Sequence, residues 1–343
     1  MKLNEKVALM SNKQINHKEV GMKRSLAMLW TMAATVGMLV VGCNKNTNGP
    51  EDDGIAPPGV TDEQSAMKYE AENDEFVKND ELMFSDQAIA ATDYAYVAGQ
   101  VQTSITPLRW GRFISSVTRT TRIDTLSDTT AIVHVHKVIS GTLKIKALRG
   151  VDTVLIEKPF TDNSNRNVLL KRVNRNPKRF WANWKPVATS LVDGGTPNGQ
   201  IDIKEIQIVK RNGDTLTITN PLSFYLRYRW LGHRNGNADV AELNGGDSVK
   251  VRVTLESASP DTDLVALRFG FNSLYKNRAK MNLVRQTIGG TLGFVKVFER
   301  TFYVHPRPGY FHAAIDAATK ATLFSDITGD YSVSWWGVPY RVF

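Results

Sequence analysis

His134 and His136 stand two residues apart in the alternating stretch AIVHVHKVI. Residues i and i+2 of a strand share a face, and paired imidazoles at that spacing can hold zinc or copper. A metal needs a third or fourth ligand, and the chain offers only the distant His305 and His312. Ile132 and Val138 lie on the same face, so a half-buried wall is the better reading and no metal is expected. The stretch NGQIDIKE, residues 198–205, matches the back half of a calcium loop. In that register the first and third ligand positions fall on Gly194 and Thr196, which donate poorly, and Asp193 is one residue out of step. A polar turn leading into a strand is expected there instead.

Aromatic and basic residues mix in KRFWANWK, residues 178–185, and in YLRYRW, residues 225–230. Aromatic faces stack on sugar rings and Arg grips carboxylate or phosphate. Trp181, Trp184, Arg227, Arg229 and Trp230 are therefore the candidate ligand-binding residues. The competing reading places the rings in the core and the Arg side chains in solvent. Of Trp335 and Trp336, one ring should face the core and the other the surface. The chain has no G-x-S-x-G, S-x-x-K set, H-E-x-x-H or phosphate loop. No catalytic residue, cofactor or enzymatic activity is expected, although a carboxylate pair of glycosidase type needs no sequence adjacency.

The chain's only cysteine, Cys43, follows Val40, Val41 and Gly42 at the end of an uncharged run over residues 26–42. Lys23 and Arg24 precede that run, as in a secretory signal. The run is close to the short limit of about 20 residues for a membrane span. These residues resemble the lipobox of bacterial lipoproteins. The resemblance implies diacylglycerol on the Cys43 sulfur, cleavage after Gly42 and acylation of the new amino terminus. Two or more acyl chains hold a membrane stably where one does not. Asn44 is not the Asp that retains such proteins at the inner membrane in some bacteria, so the outer membrane is expected; the side it faces is left open. Residues 1–21 carry Lys2, Lys6, Lys13 and Lys18 and no apolar run. They read as an extension upstream of a true start at Met22.

The hydrophobic fraction of 42% and charged fraction of 22% are those of a globular protein. After Cys43 no cysteine remains for a disulfide, so an exported body must rely on its core. Charge is uneven. Residues 51–93 hold thirteen acidic and two basic residues, residues 1–50 seven basic and two acidic, and the whole chain is +9, which leaves +15 on residues 94–343. Such a body could meet an acidic glycan or another envelope component. Its Lys and Arg are scattered, however, and the acidic segment can neutralise part of it. Nucleic acid is not an expected partner.

These residues need elements to position them. Residues 43–60 are rich in Asn, Gly, Pro and Asp and read as a flexible tether. Residues 61–98 read as an acidic helical segment, with Thr61 and Gln64 at capping-box spacing and a second helix from about Ser85. From Trp110 onward the period becomes two. Expected features include a turn at Ser140-Gly141, a short buried strand over residues 153–156, a bulge between Ile203 and Ile206, and a two-residue hairpin at Asn212-Gly213 that sets Val209 opposite Leu216. The fold class is mainly β, as antiparallel sandwiches, with a β-rich region over 101–235 and a second over 236–343. Strand spacing and the stretch PGYFHAAIDA in the second region resemble immunoglobulin-like or fibronectin-like modules, without the cysteine pair. The resemblance implies a sandwich and no particular function. The resulting expectation is a non-catalytic, lipid-anchored envelope protein with a scaffold, adhesion or binding role. The alternatives are a glycan- or polyanion-binding module and, behind it, a hydrolase without a recognisable motif.

Overall fold

The computed structural model describes residues 56–79, 89–90, 104–227, 241–270, 277–338 and 340–343. Cys43, Ser85, Arg229 and Trp230 lie outside the described residues; Ile89–Ala90, expected to be helical, form a short strand instead, paired with Trp110 and Arg109. The protein is mainly β, built of antiparallel sheets with few helices. Residues 55–343 form one compact unit.

Helix α1 (Glu63–Glu72) opens the described body, followed by the short α2 (Glu75–Asn79). The N-cap of α1 is Asp62, one residue beyond the expected Thr61. Its carboxylate accepts from Ser65 N at 2.7 Å, and the Ser65 hydroxyl returns to the cap, at 2.9 Å from Asp62 N. Asp accepts the helix's first N–H groups as well as Thr would and adds a charge that complements the helix dipole. The short β1 (Ile89–Ala90) leads to three long strands, β2 (Thr106–Ser127), β3 (Thr130–Arg149) and β4 (Asp152–Arg172). At about 3.3 Å per residue each spans on the order of 65–70 Å.

Neither the turn at Ser140-Gly141 nor the separate strand over 153–156 is found. Both stretches run straight through β3 and β4. Gly141 serves contact instead: a Cβ there would lie 2.2 Å from the Phe113 carbonyl and 2.7 Å from the Phe160 ring. Phe160 is its cross-strand partner and covers it, and β2 bulges opposite, between Ile114 and Ser116. Glycine read as a turn signal is here a site of close backbone and ring approach.

The next strands are β5 (Trp184–Ser190), β6 (Asp193–Gly195), β7 (Ile201–Val209), β8 (Thr215–Ile218) and β9 (Tyr225–Arg227). The expected bulge in β7 is present, where register against its neighbour shifts between Ile203 and Glu205. The hairpin differs by one residue. Lys210 N donates to Asp214 O, Gly213 takes φ of 91°, and Val209 pairs with Thr215 while Ile208 pairs with Leu216. Three residues, not two, close the turn, with glycine supplying its left-handed position. The chain finishes with β10 (Ala241–Leu243), β11 (Ser248–Ser257), β12 (Leu264–Gly270), β13 (Asn277–Lys280), β14 (Asn282–Ile288), β15 (Phe294–Tyr303), β16 (Gly309–Ala318), a helical turn over Lys320–Phe324, β17 (Val333–Gly337) and β18 (Tyr340–Val342).

Two sheets result. The larger runs β1-β2-β3-β4-β6-β17-β16-β12-β13, and the smaller runs β14-β15-β11-β7-β8. The regions 101–235 and 236–343 therefore do not each build their own sheets: β6 pairs with β17, and β7 pairs with β11, across that boundary. One core lies between the small sheet and β12, β16 and β17, where Ile206, Val253, Phe298, Ile315 and Trp336 meet. A second joins Trp110, Leu143, Ile145 and Phe160 of β2–β4 to Leu264, Ala314, Val333 and Trp335. These strands belong to one sheet several strands apart, so the large sheet folds back over itself. The middle strands are thus covered on both faces. Trp335 and Trp336 are both buried, against the expectation that one would face solvent, because a third layer covers the face assigned to water. A third core, under α1 and α2, holds Met67, Ala71 and Val77 against Val133, Val135, Val168, Leu170 and Trp184.

Candidate functional site

Of the aromatic and basic residues expected to bind a ligand, Trp181, Trp184 and Arg227 lie among the described residues. Trp184 is buried beneath α1, with the Arg172 guanidinium 4.8 Å from its ring centre. Trp181 is half-buried on a helical turn and meets Phe180 edge to face at 5.3 Å. Arg227 takes its place in β9 opposite Ala188. The acidic helix supplies the counter-charge nearby: Glu63 binds Arg172 through two hydrogen bonds of 3.1 and 2.6 Å, and Glu70 binds Lys185 at 2.6 Å. Trp184 is therefore core, and its basic neighbours answer the chain's own carboxylates.

His134 and His136 do share a half-buried face of β3. Each is matched to an asparagine of β4: His134 Nδ1 lies 2.7 Å from Asn167 Oδ1, and His136 Nδ1 lies 2.8 Å from Asn165 Oδ1. His134 Nε2 sits 2.8 Å from Asp124. His305 Nδ1 instead accepts from Arg307 N. Among the described residues no group of three or more His, Cys, Asp or Glu side chains is placed to hold a metal. Asp193 of the calcium-like stretch starts a strand and accepts from Trp336 Nε1 at 2.9 Å.

The polar face continues sideways into a cleft of about 310 Å³. Asn163 and Asn165 of β4, Asp193 of β6, Asp202 of β7, Thr291 and Leu292 of the β14–β15 turn and Ser334 of β17 line it, with the loop over residues 196–199. Backbone register explains the assembly. His136, Asn165, Asp193 and Trp336 are successive partners across β3, β4, β6 and β17. Gly194 opposes Trp335, whose indole would lie 2.2 Å from an added Cβ, so residue 194 must be glycine for the layers to close. Burial raises the Asp193 carboxyl above its usual range, against the lowering hydrogen bond from Trp336, and the nearby Asp202 raises it further. Asp202 is paired with Lys204 at 2.6 Å.

Below the cleft a polar chain runs into the second core. Thr196 Oγ1 donates to Asp162 Oδ1 at 2.9 Å, and the Tyr331 hydroxyl donates to Asp162 Oδ2 at 2.6 Å. Burial pushes Asp162 up to about 6 against the lowering bonds from Tyr331 and Thr196 and the Arg112 charge. Burial likewise pushes the Tyr331 hydroxyl well up. Beside them Arg112 (at 3.0 Å) and Arg268 both bind Asp316, around a cavity of about 20 Å³, roughly the space of one water. This network is enclosed and holds β2, β4, β12 and β16 together.

The cleft asparagines were not singled out from sequence. The signal was present in TDNSNRN, residues 161–167, where amides recur every second residue. Asn is depleted in strands, so its repetition there marks a polar stripe. Comparison with family models, curated proteins and solved structures gives no match for this chain.

Proposed function

We propose that this chain is a non-catalytic, lipid-anchored protein of the bacterial cell envelope with a scaffold or binding role. The observation that carries the reading is the single cysteine directly after Val40-Val41-Gly42 and a charged-then-uncharged leader. A polar tether follows, and the described body begins at residue 56. Thirteen extended residues reach at most about 45 Å, enough to hold a folded body clear of a membrane. Among the described residues no helix is long and apolar enough to cross a membrane. The polyanion alternative through Trp181, Trp184, Arg227, Arg229 and Trp230 loses support from the burial of Trp184 and from the pairing of Arg172 and Lys185 with α1.

The test is Cys43→Ser in the native host. The wild-type chain should enter the detergent phase on Triton X-114 separation, incorporate an alkyne-palmitate label and run at the processed mass. The variant should lose the label, keep its leader and leave the detergent phase once that leader is removed. Unchanged label and partition in the variant would overturn the reading.

A further inference from the structure

We infer that the cleft between β4, β6, β7 and the β14–β15 turn is a binding site for a neutral saccharide, such as the end of a glycan chain. The inference gives a ligand class to the binding role proposed above and rests on that role, though not on the lipid anchor. Its volume of about 310 Å³ is at the small end of ligand pockets, which span about 300–1,000 Å³. A single sugar residue fills it better than a peptide or an extended aromatic group.

The lining selects the chemistry. The Asn163 side chain makes no hydrogen bond with the described residues, so both its carbonyl and its NH2 are open to the cleft. Asn165 gives its Oδ1 to His136 and keeps its NH2. Asp193 accepts from Trp336 through Oδ1 and keeps Oδ2. The site thus offers amide donors, an amide acceptor and a carboxylate acceptor from strands held in register. Vicinal hydroxyls, each able to donate and accept, match that set.

Charge argues in the same direction. Among the described residues no basic side chain lines the cleft, and Lys204 beside it is taken by Asp202 and, at 3.9 Å, by Glu256. An anionic ligand would meet Asp193 without a counter-charge. The few apolar walls, Pro197, Ile201, Leu292 and Val333, suit one sugar face rather than a large apolar body. The sequence reading put a glycan or polyanion on the Trp–Arg stretches; the site inferred here is a polar cleft elsewhere, suited to a neutral ligand.

The test uses the full chain, in detergent, titrated with neutral hexasaccharides of glucose, mannose, galactose, xylose and N-acetylglucosamine. Binding is read by isothermal titration and by shifts of the Asn side-chain amide resonances. At least one probe should bind, shift amides in this cleft, and lose at least tenfold in affinity on Asn163→Ala, with thermal stability unchanged because that side chain bonds nothing in the fold. Trp181→Ala should leave the affinity intact. Absence of binding by every probe, shifts confined to other regions, or unaltered affinity in Asn163→Ala would overturn the proposal. So would binding abolished by EDTA, which would mark a cation site, or tighter binding of heparin that is lost in the same variant. Failure here leaves the Cys43→Ser result untouched, so the anchor and the cleft stand or fall separately.

Discussion

Asp162 shows how much a single residue here depends on its surroundings. Its carboxyl accepts from Tyr331 and Thr196, yet burial outweighs both bonds and pushes it up to about 6 from 3.8. The folded state then holds a proton more tightly than the unfolded chain between those two values. Stability contributed by this group is present at low pH and falls as pH rises from about 4 to about 6, by on the order of 3 kcal/mol. Asp162→Asn should remove that slope. Urea midpoints at pH 4, 5, 6 and 7 should show the variant gaining on the wild type across this window and holding a constant difference above it. A difference that does not change with pH would show that the carboxyl is already ionised throughout. Lys158 is the opposite case: burial lowers it to about 8, while its Nζ donates to the Ala321 and Asp330 carbonyls at 2.9 Å.

At the scale of elements, α1 is the most separable piece. Its cap and its good helix formers were legible in the sequence, although the cap lies at Asp62 rather than Thr61. Its docking was not, because the helix is short and weakly amphipathic, and three buried residues, Ala66, Met67 and Ala71, do the packing. Packing rather than charge should hold it. Glu70 and Lys185 are partly solvated, and such pairs contribute about 0–1 kcal/mol. Met67 is 4% exposed over Val133 and Trp184, and a buried Met→Ala change costs about 2–5 kcal/mol. Met67→Ala should therefore lower stability by at least 2 kcal/mol and speed amide exchange across residues 63–79, whereas Glu70→Gln should lower it by under about 1 kcal/mol. The reverse order in chemical denaturation would assign the docking to the ion pairs.

At the scale of the molecule, two features change the reading of composition. The first is charge. Among the described residues seven buried ones are Lys or Arg, including Arg112, Lys137, Lys158, Arg166, Arg268 and Lys296, against four buried Asp. Several are bound by main-chain carbonyls: Lys137 by Val77 O, Arg166 by Ser190 O, and Lys296 by Ser259 O and Asp261 O beside Asp263. Part of the basic excess of residues 94–343 is thus interior scaffolding and makes no polyanion surface. The second feature is connectivity. With β7 bonded to β11 and β6 to β17, a cut at 235/236 splits both sheets. Residues 236–343 expressed alone should lack a cooperative thermal transition and should bind anilinonaphthalene sulfonate, while residues 56–343 should unfold as one unit. A sharp, reversible transition in the C-terminal piece would contradict the shared-sheet architecture.

Period-two patterning was enough to determine that this chain is a β protein, and it located the bulge in β7 and the buried face of β11. Both follow from side-chain alternation and turn chemistry, which are local. Tertiary structure alone decided what covers each face. Gly141 was a turn by its type and became a contact under Phe160, because the glycine's cost is set by the ring above it. Trp336 was assigned by parity to water or core without knowledge of a third layer. The polar stripe of Asn163 and Asn165 meets Asp193 and Asp202 only because β4, β6 and β7 are brought together from separate parts of the chain. Alternation reports which side of a strand a residue occupies; it carries no information on whether that side faces solvent, a second sheet or the same sheet folded back.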